Sequence, residues 1–179
     1  VKWAGLDESQ RTAVKRLYAW IRSCVPDGAT SADLSTFKSE KFRDEISDYF
    51  DKAFLLTYYL WTDYFLAVDQ RAKNMMLRTW DGLIWYITYY DGDTQMGKRN
   101  DCFLVYDYTT DRDTYDAEAG KYAFEGRDSW LWNLVLANLD ADLKTQAQAL
   151  RGVLTTSRVL DMLNVEQAGN WCDRAYNKS

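Results

Sequence analysis

The chain has 179 residues, of which 47% are apolar and 16% aromatic, and a formal net charge of −5. A chain this long can bury about 70% of the surface its unfolded form exposes, enough for one domain with a hydrophobic core, and its composition argues against disorder. Lys and Arg are scattered singly or in pairs such as Lys15-Arg16 and Lys98-Arg99, so no basic stripe is present to bind nucleic acid without sequence preference.

The sequence contains no His, which removes His-based serine triads, Cys–His nucleophilic pairs and standard zinc sites. Its cysteines, Cys24, Cys102 and Cys172, are far apart and odd in number, a pattern expected of free thiols in a reducing compartment. The longest apolar stretch, 49–68, is interrupted by Asp51, Lys52 and Asp63, so neither a transmembrane helix nor a signal peptide is evident. A start at Val1 and an end at Ser179 without a closing element lead us to expect a piece of a larger polypeptide. It would be one domain, with an N-terminal helical part over 1–44 and a second part over 45–179.

Leu6 to Cys24 predicts an amphipathic helix, with Val14, Leu17, Tyr18 and Ile21 at i, i+3, i+4 and i+7. Asp7 is placed to cap it, with Gln10 three positions on. Pro26-Asp27-Gly28 ends it, and Ser31 to Thr36 leads into a short helix from Phe37 to Asp44. Ile46 to Val68 predicts a long central helix. Phe50, Phe54, Leu55, Tyr58, Trp61 and Phe65 form its apolar side, and Asp48, Asp51, Lys52, Tyr59, Thr62 and Asp63 form a narrow polar stripe.

Two runs rich in aromatic and β-branched residues follow, 74–80 and 83–90, separated by Asp81-Gly82. That dipeptide predicts a two-residue type I′ hairpin turn. Pairing outward from it sets residue 74 near 89 and residue 72 near 91. Residues 101–108 predict a third strand, and 109–122 a solvated acidic loop carrying Asp111, Asp113, Asp116 and Glu118. Ser129 or Asp128 can cap a helix through Leu139, and Asp140 one through Leu150 or Val153. Thr155-Thr156-Ser157 opens a third helix to about Asn164, and a fourth is expected from Val165 to Tyr176. Trp130-Leu131-Trp132-Asn133 and Asn170-Trp171 are expected in a core or a subunit interface. The fold class predicted is α+β, mostly α, with helices flanking a small antiparallel hairpin.

The same pairing gathers Asp69, Asn74, Asp91 and Asp93 at the open end of the hairpin. Carboxylates and an amide in one small volume suit a hard cation such as Mg²⁺. Without a cation the carboxylates repel, and at least one pKa rises. Four uses are open to such a cluster: phosphoryl transfer, a metal or nucleotide pocket without turnover, capping and cross-bracing of loops, and paired-carboxylate hydrolysis by Asp91 and Asp93.

Asp69 and Asn74 five apart, then a hairpin, then Asp91-Gly92-Asp93 resemble the catalytic loop and metal segment of protein-kinase-type phosphotransferases. The closer likeness is to the CotH family of atypical kinases, with a long aromatic helix, Asp-x4-Asn, and a hairpin ending in Asp-x-Asp-(Ser/Thr)-x-x-Gly. That resemblance implies a kinase C-lobe-like fold, ATP and Mg²⁺ as cofactors, Asp69 as base, and Asn74, Asp91 and Asp93 as metal and cofactor-binding residues. Arg71 stands where such kinases carry the Lys that contacts the transferred phosphate, and no Gly-rich phosphate loop is present.

Residues 103–108, 122–133 and 168–178, together with the segment Asp91-x-Asp93-Thr94-x-x-Gly97, are similar to tail and muzzle virion proteins of crAss-like and related short-tailed phages. This second resemblance covers roughly 45–179. It implies a structural module without a cofactor, made in the bacterial host cytoplasm and residing in the virion. Its partners would be other virion proteins and further copies of itself in a homo-oligomeric ring.

Overall fold

The computed structural model describes residues 7–30, 33–65, 67, 70–71, 74–92 and 129–161. Their architecture is mostly helical with one two-stranded antiparallel sheet: α1 Glu8–Ser23, α2 Glu40–Glu45, α3 Lys52–Tyr64, β1 Met75–Thr79, β2 Trp85–Tyr89, α4 Trp130–Asn138 and α5 Asp140–Val153. Short 3₁₀ turns precede α2 and α3, at Asp33–Ser35 and Ile46–Asp48. Residues 156–161 are also helical, opened by Thr155, whose hydroxyl accepts from the Arg158 amide at 3.3 Å. The third strand expected at 101–108, the acidic loop 109–122 and the helix 165–176 lie outside the described residues, as do Cys102, Cys172 and Trp171.

Local chemistry explains most helix ends. At α1 the Asp7 carboxylate accepts from the Gln10 amide at 2.9 Å, and Gln10 Oε1 accepts from the Asp7 amide at 3.0 Å, a complete capping box. Ser129 caps α4, its hydroxyl accepting from the Trp132 amide at 3.4 Å. Asp140 is the first residue of α5 rather than its cap, and it pairs with Lys144 one turn on. The buried stripe of α1 runs through Ala13, Leu17, Trp20 and Cys24, so Tyr18 lies exposed where the periodicity predicted core.

The continuous helix expected over 46–68 is broken. After the 3₁₀ turn the helix is interrupted at 49–51: the Tyr49 carbonyl accepts from the Trp85 amide at 2.7 Å, Phe50 forms a parallel bridge with Trp85, and Asp51 is extended. Asp51 then caps α3 by accepting from the Phe54 amide at 2.9 Å. A long-range bond to β2 thus outweighs local helix propensity. The expected polar stripe is also partly inside: Thr62 and Tyr59 are buried, the Thr62 hydroxyl being satisfied by the Tyr59 carbonyl at 2.7 Å.

The hairpin register differs by one residue from the two-residue turn. Met75 pairs with Tyr89, Leu77 with Ile87 and Thr79 with Trp85, leaving 80–84 as the connection. The expected register would have put Arg78 and Met76 on the face of Trp85 and Ile87. The observed one collects Met75, Leu77, Trp85 and Ile87 inward and leaves Arg78 outside, as burial of one face demands. Asp81 holds the wider turn, its Oδ1 accepting from the amides of Leu83 and Ile84 at 2.8 and 3.0 Å and from the Thr79 hydroxyl at 3.1 Å. The backbone N–H groups of Ile84 and Leu83 keep this carboxyl below the usual carboxylate range.

Two aromatic stacks anchor the core. Trp20 of α1 stacks on Tyr49 and Phe42, with ring centroids 4.2 and 5.4 Å apart. Trp132 of α4, 1% exposed, stacks on Tyr58 of α3 at 6.1 Å. Replacing Trp132 by Ala should destabilise the fold by about 3–5 kcal/mol in urea unfolding followed by circular dichroism. Trp80→Ala, at a site 83% exposed, should change stability by no more than about 0.5 kcal/mol. Equal losses for the two would contradict this placement of the core.

Candidate functional site

Between α3 and β1 the chain turns back through a short polar connection. The Ala67 amide donates to the Thr62 carbonyl at 2.8 Å, and the Gln70 amide to the Ala67 carbonyl at 3.2 Å. This sets Gln70 and Arg71 into the interior, where both are buried, Arg71 being 2% exposed. Buried polar groups must find partners, and these find backbone carbonyls and rings.

Gln70 Nε2 donates to the carbonyls of Tyr90 and Asp91, both at 2.9 Å. The Gln70 backbone carbonyl accepts from the Tyr58 hydroxyl at 2.8 Å. Burial pushes the Tyr58 pKa above its ordinary value, so this hydroxyl stays a neutral donor. The Arg71 guanidinium stacks over the Tyr59 ring at 4.5 Å and reaches Asp63 Oδ1 at 3.4 Å, while the Arg71 carbonyl accepts from Trp132 Nε1 at 3.1 Å. Connection, hairpin end and α4 are joined at this one point.

Of the residues singled out from sequence, Asn74 and Asp91 are brought together: Asn74 Nδ2 donates to the Asp91 carbonyl at 3.3 Å. Asp69 and Asp93 lie outside the described residues. Asp91 is in the left-handed region, with φ of 57°, a conformation that Asp tolerates better than most side chains. Among the described residues no three His, Cys, Asp or Glu side chains gather into a metal-binding group. Asn74 Oδ1 and the exposed Asp91 carboxylate are nonetheless hard oxygen ligands of the type Mg²⁺ takes, and that ion commonly needs only one or two protein groups beside phosphate oxygens and water.

At the centre of the arrangement, Gln70 is a residue that sequence reasoning passed over as a spacer within Asp-x4-Asn, whereas Arg71, singled out for standing at the phosphate-contacting Lys position, lies buried. No periodicity marks them, because a turn between a helix and a strand has none. No helix among the described residues is long and apolar enough to cross a membrane. No family model, curated protein or solved structure matches the chain.

Cys24 sits apart from this cluster, buried at the end of α1, and burial raises its thiol pKa to about 11. It should resist iodoacetamide in the native protein and label only on unfolding, as peptide mapping by mass spectrometry would show; prompt native labelling would refute its placement.

The Gln70 side chain donates two bonds and Asn74 one. Gln70→Ala should therefore cost about 1–3 kcal/mol, and Asn74→Ala less than about 1 kcal/mol, measured by urea unfolding. An Asn74 loss as large as that at Gln70 would show that the outer amide, not the buried one, ties down the hairpin end.

Proposed function

We propose that this chain is a structural module acting through protein–protein contacts, with a scaffold of the kinase C-lobe type seen in CotH-like proteins. In this reading it belongs to the tail or muzzle of a short-tailed phage, within a symmetric assembly, as the resemblance of its sequence segments to such virion proteins implies. The observation that carries the reading is the burial of Arg71. In phosphoryl transfer the catalytic groups act by reaching and neutralising the phosphoryl oxygens, which requires a basic side chain open to substrate. Arg71 is instead spent inside, on the Tyr59 ring, Asp63 and the contact with α4. Gln70 and Asn74 are spent on backbone carbonyls, the cross-bracing use of such residues. Exposed Tyr18, Met76, Trp80 and Tyr90 supply residue types enriched where proteins meet.

One observation favours a second reading, a CotH-like kinase using ATP and Mg²⁺. Asn74 and Asp91 do meet at the open end of the hairpin, where Asp69 as base and Asp93 as a further metal residue would complete the set. Thermal unfolding with and without Mg·ATP separates the two. The structural module should show no concentration-dependent rise in Tm. A saturable rise that disappears in Asp91→Ala, with the Tm of the ligand-free variant unchanged, would establish the nucleotide site and displace the first reading.

A further inference from the structure

The hairpin tip presents an apolar knob. Trp80 is 83% exposed and Leu83 52% exposed on either side of Asp81-Gly82. Exposed tips are usually polar and mobile, but this one is held. Asp81 Oδ1 takes three hydrogen bonds, the Gly82 amide donates to the Thr79 hydroxyl at 3.0 Å, and Arg16 Nη1 of α1 donates to the Leu83 carbonyl at 3.0 Å. The backbone that presents the knob therefore has little conformational freedom to lose on docking.

The same molecule carries a cleft of about 610 Å³ between α1, β1 and the start of α4. Among the described residues Leu17, Tyr18, Ile21, Leu77 and Trp130 line it, with Arg22 as the charged one. A cleft of this size accepts ligands larger than one indole, so Trp80 and Leu83 fit within its capacity. Charge is matched as well. The Arg22 guanidinium lies over the Trp130 ring at 5.0 Å, and its ion pair with Asp27 is long, 3.8 Å, and exposed, hence weak. Among the described residues Asp81, between the two knob residues, accepts hydrogen bonds through Oδ1, and its Oδ2 takes none.

We propose that the cleft is the receptor for the hairpin tip of a second copy of this chain, with Trp80 and Leu83 inserted and Asp81 facing Arg22. A chain cannot fill its own cleft: its tip is secured beside Ala13 and Arg16, whereas the cleft follows the next turns of α1 from Leu17 to Arg22. Knob and receptor are different surfaces, so the contact is head-to-tail and generates a ring where the rotation closes, or a filament where it does not. The contact rests on the structural-module reading and supplies its self-association.

Sedimentation velocity over a concentration series tests it, with variants on exposed positions and circular dichroism melting to show that each folds. The wild type should self-associate. Trp80→Ala and Arg22→Glu should each weaken association about tenfold or more. Mixed together, the two variants should form a heterodimer that grows no further, since one retains an intact cleft and the other an intact knob. A wild type monomeric to its solubility limit, variants that associate as it does, or a mixture that stays monomeric would overturn the contact. So would Trp80-dependent sedimentation of a monomeric protein with phosphatidylglycerol vesicles, which would assign the tip to a membrane surface. None of these results touches the structural-module reading, which falls on Mg·ATP binding instead.

Discussion

The hydrogen bond from the Trp132 indole to the Arg71 carbonyl ties α4 to the connection that follows α3, two segments far apart in sequence. Trp132 lies 61 positions beyond Arg71, and its ring stacks on Tyr58 of α3 while its N–H secures the connection that follows α3. Once that connection is drawn inward, the Gln70 amide reaches the carbonyls of Tyr90 and Asp91 and closes the hairpin end. A buried amide or indole that finds its acceptor contributes modestly, but one left unpaired costs considerably more, so the arrangement tolerates few alternatives.

The position of Arg71 has consequences for chemistry. A guanidinium taken out of water needs compensation, and here an aromatic face and a carboxylate supply part of it, while Nε has no hydrogen-bond partner among the described residues. Burying this cation stabilises only if the surrounding packing stays intact, and it withdraws the charge from any ligand at the surface. A spacing that suggests phosphoryl transfer and an environment that suggests bracing therefore coexist in one short segment. Spacing records only the separation along the chain. Environment determines which atoms remain able to react.

The helix ends were legible because they depend on neighbours. Asp7 with Gln10 and Ser129 before Trp130 cap through bonds spanning three residues, which sequence inspection can see. The meeting of Asn74 with Asp91 was legible for a related reason: an antiparallel hairpin brings its two ends together, and a register shift of one residue does not separate them. The register was misjudged because Asp-Gly favours a two-residue turn, whereas the demand to bury Leu77 opposite Ile87 is imposed by the core and outweighs it. Likewise 46–68 has helical composition throughout, yet the Trp85 amide, well separated in sequence, claims the Tyr49 carbonyl and interrupts it.

Its residues alone pointed to a mostly helical fold, to Asp7 as the cap of α1, to Ser129 or Asp128 as the cap of α4, and to one antiparallel hairpin turning at 81–82, because each of these follows from interactions among residues close in sequence. Tertiary structure alone decided which face of the hairpin turned inward, where the central helix broke, and that Gln70 and Arg71 were enclosed rather than offered to solvent. Those outcomes depend on desolvation and on hydrogen bonds between distant segments, whose energies exist only once the segments are packed together.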